Sequence, residues 1–250
     1  MARVPNIDRL LKEWPYQPDA VSVRMAKGMD GREVIQMRIE MGVLQLETTG
    51  RPDGERPGGE STILEFLSEL VQIDGQLAMT PDQCAEVDRE FVQFYHRRVC
   101  WLALREFANA VRDADHTLAL MDFCQQHSPD EAWTVQHEQY RPFVLFHRIQ
   151  AAALNDLEDD NPETAVEAIN QGLDQLRDLF NEFEVDGEFE ENELVVRLIE
   201  LRESLREKFE VGKTLQEQLS DAIAHEEYEE AARIRDQIAL RTPNTSGPNY

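Results

Sequence analysis

From residue 81 to residue 241 the apolar residues recur at steps of three and four positions, and no alternating strand pattern interrupts them. This spacing is typical of the buried face of an α-helix. Helix start signals agree with it, because Thr80 is followed by a proline and Ser61 or Thr62 precedes an apolar stretch at 64–73. The sequence therefore predicts a mainly α protein built as a helical bundle.

The N-terminal region follows a different pattern, in which apolar and polar residues alternate on both sides of a glycine-containing turn at 28–31. Alternation with a period of two predicts an antiparallel β-hairpin. The apolar positions are Val21, Val23 and Met25 in the first stretch and Ile35, Met37, Ile39 and Met41 in the second. Residues 43–46 either continue the second strand through a bulge at Gly42 or form a third strand.

Such a hairpin needs a cover for its apolar face, because two or three strands alone are marginally stable in water. Leu10, Leu11 and Trp14, on a short helix that ends before Pro15, are the nearest candidates in the sequence. We therefore expect this helix to pack against the sheet.

Charge and composition divide the chain into segments. Residues 1–48 hold seven basic and seven acidic residues, so the whole net charge of -25 lies beyond them. Segment 49–60 is rich in glycine and proline, which predicts a flexible linker or long loop. We predict an N-terminal β-hairpin region at 1–48, an acidic helical domain at 61–209, a helical hairpin at 213–241 and a disordered tail at 242–250.

The composition also narrows the class of function. A net charge of -25 repels phosphate backbones, and the only adjacent basic pair is Arg97–Arg98, so we expect no direct nucleic-acid binding. Cys84, Cys100 and Cys124 form no CxxC pair, which predicts reduced, mostly buried thiols. No stretch reaches the about 20 apolar residues of a spanning helix, and residues 1–10 lack an apolar signal core, so we expect a cytoplasmic protein.

Two stretches of the helical region share a spacing and resemble tetratricopeptide hairpins. They are Leu104, Phe107, Ala110, Val111 and Leu118, and then Asn161, Pro162, Ala165, Val166, Gly172 and Leu173. In that family a small residue lets paired helices approach closely, a place that Ala110 and Ala165 take here. These alanines are 55 residues apart, whereas the family repeats every about 34, so a plain helical bundle remains the alternative.

Residues 151–200 hold 16 acidic and two basic residues. Their centre, 182–193, has partial EF-hand spacing, with Glu182, Glu184, Asp186, Gly187, Phe189 and Glu193 at loop positions one, three, five, six, eight and twelve. Glutamate at the first and third positions is too long for that loop. A solvated acidic loop between two helices is the alternative, and we expect no metal or other cofactor.

The segment 213–241 contains two apolar stripes at helical spacing, separated by the polar residues 225–227. The first stripe is Leu215, Leu219, Ala222 and Ile223, and the second is Tyr228, Ala231, Ile234 and Ile238. The pattern predicts an antiparallel helical hairpin. Two such short helices bury little apolar surface, which favours docking against another element or protein.

This segment resembles the UVR domain over about 28 of the 250 residues, with the aromatic-Glu-x-Ala-Ala core at 228–232 and the Arg-Asp pair at 235–236. In that family the module ends the excision-nuclease subunit UvrB and recurs in UvrC, where the two copies pair. Similar copies occur in Clp ATPases, in McsA-type activators of bacterial protein-arginine kinase and in chloroplast protease adaptors. The rest of the chain has no Walker A loop, nuclease segment or CxxC pair, so only the binding mode is carried over.

The resemblance implies a bacterial protein that docks onto a partner carrying a UVR-like hairpin, or onto a second copy of itself. Ala231 and Ala232 would allow close helix approach, Tyr228 would be an aromatic anchor, and Arg235 with Asp236 would exchange ion pairs across a two-fold axis. The predicted partner-binding residues are Leu215, Leu219, Ile223, Tyr228, Ala231, Ala232, Ile234, Arg235, Asp236 and Ile238. The expected role is an adaptor that regulates a Clp-type protease or a kinase, with an accessory role in nucleotide excision repair as the alternative.

Catalytic motifs are absent from the sequence. The six histidines form no HExxH or similar ligand spacing, and no GxSxG, phosphate loop or dinucleotide fingerprint occurs. Cys100, next to Trp101 on the apolar side of a helix, is expected to be a packed thiol. We therefore expect a non-enzymatic protein, with a hydrolase that uses the acidic cluster as the weaker alternative.

Overall fold

The computed structural model describes residues 6–75, 77–183 and 186–241, so the predicted disordered tail at 242–250 lies outside the described residues. The chain forms two compact units, residues 1–152 and residues 153–250. Both consist mainly of α-helices, and a small antiparallel sheet lies near the N-terminus, which confirms the predicted fold class. The predicted boundary near residue 50 falls inside the first unit, and the five-segment division stays a prediction.

The first unit begins with helix α1 and three strands, followed by longer helices. Their bounds are α1 Asp8–Glu13, β1 Ser22–Lys27, β2 Glu33–Ile39, β3 Gly42–Glu47, α2 Ile63–Asp74, α3 Pro81–Leu104, α4 Phe107–His127 and α5 Glu131–Glu138. Helix α6, Arg141–Glu158, begins in this unit and ends in the second. The second unit continues with α7 Pro162–Glu182, α8 Glu193–Phe209, α9 Leu215–Ala224 and α10 Tyr228–Arg241.

The sheet has the strand order β1-β2-β3, and both pairs are antiparallel. Val23 lies opposite Met37 in the first pair, and Ile35 lies opposite Leu46 in the second. The residues after Gly42 therefore form a third strand rather than an extension of the second, which settles the two alternatives left by the sequence.

The cover of the sheet differs from the sequence-based expectation. Helix α1 has no buried residue, and Trp14 instead donates its indole N–H to Ser22 Oγ over 2.7 Å. The buried sheet residues Ile35 and Leu46 belong to one apolar cluster with Cys100, Trp101, Ala110 and Ala151. Helices from later in the chain present longer apolar stripes than a six-residue helix can, so they cover the sheet.

Two buried arginines attach the sheet and the following loop to the helices. Arg97 forms a bidentate pair with Asp113 over 2.7 and 2.9 Å, and its Nη1 donates to the carbonyls of Glu47 and Gly50. Arg51, only 2 % exposed, lies 2.7 Å from the Glu86 carboxylate. The segment predicted as a flexible linker or long loop is thus a loop, and the buried side chain of Arg51 attaches it to α3.

The helix starts and the cysteines agree with the sequence. Thr80 forms a capping box with Gln83, and Thr62 caps α2 by accepting the backbone N–H of Glu65. All three cysteines are free and buried, as predicted. Cys84 and Cys124 belong to a second apolar cluster that joins α2, α3 and α4.

In the second unit, α7 and α8 supply most of the buried apolar residues. Between them, residues 186–191 form a 3₁₀ helix, and Asn192 caps α8. The ring of Phe189 is buried and lies edge-on to Phe180 at 5.6 Å. The EF-hand-like stretch is therefore partly 3₁₀-helical, and its Glu184 lies outside the described residues. Ala110 and Ala165 are fully buried, while the tetratricopeptide resemblance stays a prediction.

Candidate protein-interaction site

The hairpin of α9 and α10 starts with a capping box. Thr214 Oγ1 accepts the backbone N–H of Glu217 over 3.3 Å, and Glu217 Oε2 accepts the backbone N–H of Thr214 over 2.8 Å. The Thr-x-x-Glu spacing is the sequence signal for this arrangement. Since it satisfies two free backbone donors, it defines where α9 begins.

Ion pairs hold this start in place. Arg206 of α8 pairs with Glu217, and Lys213 pairs with Asp221. Burial opposes ionisation of Glu217, but hydrogen bonds from Arg206 and Thr214 outweigh it and lower the pKa of that carboxyl. The hydrogen bond with Asp221 raises the pKa of Lys213, and the same contact lowers the pKa of Asp221. The N-terminal end of the hairpin is therefore electrostatically attached to α8.

The turn between the two helices occupies residues 225–227. Glu226 has a φ of 60°, in the left-handed region that glycine prefers. The backbone N–H of Glu227 donates to the carbonyl of Ala222 over 2.8 Å, and that of Glu226 donates to Ile223 over 3.0 Å. These bonds satisfy carbonyls at the end of α9 and reverse the chain direction.

The inner face of the hairpin is a small apolar core. Ala222, Ala231 and Ile234 are buried, and Leu215, Leu219 and Ile238 pack against them. All six residues of this described cluster come from the hairpin itself. Five of the predicted partner-binding residues therefore hold the two helices together: Leu215, Leu219, Ala231, Ile234 and Ile238.

The other five predicted residues lie on the outside of the hairpin: Ile223, Tyr228, Ala232, Arg235 and Asp236. Tyr228 is 67 % exposed and Ile223 is 54 % exposed. Arg235 pairs with its neighbour Asp236 over 2.8 Å on the same helix. Helical spacing places Tyr228, Ala232 and Arg235 on one face of α10. This outer face, formed by these five residues, carries an aromatic ring beside a small residue and a charged pair.

The sequence-based site omitted Leu240, which is 87 % exposed near the end of α10. Leu240 is two residues after Ile238, so it does not follow the three- and four-residue spacing of the buried apolar stripe. An apolar residue outside that spacing is expected to be exposed, and this is the signal in the sequence that could have identified it. Exposed apolar side chains of this size add to the surface that a partner can bury.

A shallow cavity of about 300 Å³ lies beside the hairpin within the second unit. On one side it is lined by Glu163, Thr164, Glu167 and Gln171 of α7, and on the other by residues of the hairpin that include Leu215 and Ile238. The α7 side of this contact is polar, whereas the described core of the hairpin is its own. The hairpin therefore adjoins α7 along a cavity whose α7 side is polar.

The other candidate residues from the sequence lie apart from one another. His116 contacts Glu90, His127 contacts the carbonyl of Leu77, and His225 contacts the carbonyl of Asp221. Among the residues that the structure describes, no three His, Cys, Asp or Glu side chains are grouped so that they could hold a metal ion. Within that same part of the chain, no helix combines the length and apolarity needed to cross a membrane.

Comparison with known families identifies one segment. Residues 211–240 match the UvrB/uvrC motif, called UVR, and these bounds enclose the capping box, α9, the turn and all of α10 except its last residue. No curated protein and no solved structure matches the chain. The match confirms the resemblance seen in the sequence and indicates that this hairpin is a protein-interaction motif.

Proposed function

We propose that this chain is a non-enzymatic interaction protein that docks onto a protein partner through the outer face of its UVR hairpin. The observation that carries the proposal is the division of the motif into two faces. The inner face stabilises the hairpin, so the outer face is available to a partner without unfolding it. Tyr228 suits an anchor, because an exposed aromatic ring loses little conformational entropy on binding.

The charges of the hairpin favour a particular kind of partner. Segment 213–241 holds four basic and seven acidic residues, so two copies repel each other unless their ions are matched. Arg235 is already paired with Asp236, and an exchange of this pair across an interface would add specificity more than affinity. We therefore favour a partner with a less acidic UVR-like hairpin over a second copy of this chain.

The role that fits such docking is that of an adaptor which brings a Clp-type protease or a protein kinase under control. The buried, free cysteines fit a reducing compartment such as the cytoplasm. An accessory role in nucleotide excision repair would use the same outer face with a different partner. The experiment below distinguishes these roles by the partner that it recovers.

The test replaces Tyr228 with Asp in the full chain. An unpaired charge buried in the interface costs about 3 kcal/mol, which weakens the dissociation constant more than about 100-fold. Gln237→Asp is the matched control, because it adds the same charge to the same helix nine residues away, on the opposite face. Affinity capture with each variant, together with light scattering for the oligomeric state, measures the effect.

Loss of a Clp ATPase or kinase with Tyr228→Asp but not with Gln237→Asp would support the adaptor role. Loss of excision subunits in the same pattern would support the repair role. If Tyr228→Asp retains every partner and the oligomeric state of the native chain, the outer face is not a docking surface and the proposal is wrong.

A further inference from the structure

The first unit contains a second concave feature, independent of the hairpin. A cavity of about 650 Å³ lies between α3, α4, α5 and α6. Its walls are mainly apolar and aromatic, with Phe91, Val92, Tyr95, Met121, Phe143 and Val144 among the lining side chains. Cavities of about 300–1,000 Å³ with apolar walls and few polar groups are typical of sites for small molecules.

The polar group that distinguishes this cavity is the guanidinium of Arg98. Arg98 lines the cavity, although its residue is only 1 % exposed. Its Nε donates to His147 Nδ1 over 3.2 Å, and its Nη1 donates to Thr117 Oγ1 over 3.0 Å. Both partners are neutral acceptors: burial, together with the positive charge of Arg98, lowers the pKa of His147 to about 4.

The adjacent residue Arg97 shows how a buried arginine is ordinarily neutralised in this fold. Arg97 forms a bidentate pair with Asp113, whereas no carboxylate among the described residues lies within ion-pair distance of Arg98. Burial lowers the pKa of Arg98 to about 10, against the raising effects of Asp113 and Tyr95, so the guanidinium stays charged at neutral pH. A buried charge with no counter-ion in direct contact is strongly unfavourable, which leaves a position for an anion from outside the chain.

We propose that this cavity binds a small carboxylic acid with an aromatic or aliphatic body. The carboxylate pairs with the guanidinium of Arg98, because the planar guanidinium matches the geometry of a carboxylate. The aromatic or aliphatic body of the acid packs among Phe91, Tyr95 and Phe143. The anion supplies the missing counter-ion, and the apolar body fills a cavity that water occupies poorly.

The other charged group of the lining does not neutralise Arg98. Asp88 Oδ1 lies 2.9 Å from His137 Nε2 and accepts the indole N–H of Trp133 over 3.1 Å. Asp88 is therefore engaged with α5. The overall charge of -25 repels anions at long range, so binding must depend on the apolar contacts and the short-range pairing with Arg98.

The test compares two probes of nearly equal shape, 4-phenylbutyrate and its neutral amide, in calorimetric titrations of the full chain. We expect saturable binding of the acid with one site per chain, and binding of the amide at least about tenfold weaker, because a charge-assisted pair is lost. Arg98→Met should abolish this preference for the acid.

A second variant keeps the test independent of whether Arg98→Met folds. Val92 lies at the cavity and is 55 % exposed, so Val92→Glu places a negative charge at the rim without disturbing the core. We expect Val92→Glu to weaken the binding of the acid more than the binding of the amide. Val135→Glu is the matched control, since Val135 is 60 % exposed and lies outside this cavity. The absence of saturable binding, equal affinity for acid and amide, or an unchanged preference in folded Arg98→Met or in Val92→Glu would each overturn the proposal.

Discussion

Replacing Ile234 with Ala should destabilise the hairpin, so that it opens locally more often while α7 and α8 stay folded. Ile234 is 4 % exposed and belongs to a cluster of six residues that all come from α9 and α10. Removing a buried isoleucine side chain costs about 2–5 kcal/mol. The helices have 10 and 14 residues, near the length of about 12–15 below which isolated helices are marginal in water.

The loss should therefore appear as local opening rather than as a lower global stability. Hydrogen exchange measured by mass spectrometry gives the free energy of opening for each peptide. A loss of 2 kcal/mol or more corresponds to at least about 30-fold faster exchange in peptides from α9 and α10. Peptides from the centre of α7, where Ile169 and Leu176 are fully buried, should keep the native exchange rate.

Leu240→Ala is the matched control, because it removes an aliphatic side chain from the same helix at a position that is 87 % exposed. It should leave exchange in the hairpin unchanged. Two results would refute the reasoning. If Ile234→Ala leaves the hairpin protected, the small core does not hold it together, and if α7 opens in parallel, the hairpin is part of a larger cooperative unit.

Three further perturbations follow from the geometry. Glu226→Gly should stabilise the hairpin by up to about 1 kcal/mol, seen as slower exchange there, because Glu226 adopts a left-handed φ of 60°. The pKa of His147 falls from 6.5 to about 4 in the folded state, so protons favour the unfolded chain. Stability from this group should be complete above pH 6.5 and fall by about 3 kcal/mol towards pH 4, and His147→Gln should flatten that part of the denaturation profile. Burial raises the pKa of Cys100 and of Cys124 to about 12, so iodoacetamide at pH 8 should alkylate these thiols only after denaturation, as mass spectrometry would show.

Features set by neighbouring residues were predictable from the sequence. Thr62 and Thr80 start helices because a side chain two or three residues away from the free backbone donors can cap them. The helical hairpin was visible for the same reason, since its stripes and its polar turn lie within 30 residues. The stripe nevertheless included Tyr228, which the structure exposes because it is the first residue of α10, next to the turn.

Features set by distant residues were not predictable. Helix α1 is near the sheet in sequence, yet the cover comes from α3, α4 and α6, which lie much later in the chain. Arg51 and Arg98 resemble surface residues in the sequence, and only the fold shows that one faces Glu86 while the other lines an apolar cavity. A pattern of single residues carries no information on such pairings, because they depend on which helices meet.

The contacts of Arg97 also affect the order in which the chain can fold during translation. Its side chain donates to the carbonyls of Glu47 and Gly50 and to the carboxylate of Asp113. The carbonyls at the end of β3 therefore gain these hydrogen bonds only after residues far later in the chain have been synthesised. A ribosome adds about 5–20 residues per second, and the three strands therefore emerge several seconds before α4 can close over them. In that interval the apolar face of Ile35 and Leu46 is open to chaperones and to other nascent chains. A pause in translation between residues 47 and 151 would lengthen this exposure, because the cluster that covers the sheet includes residues up to Ala151.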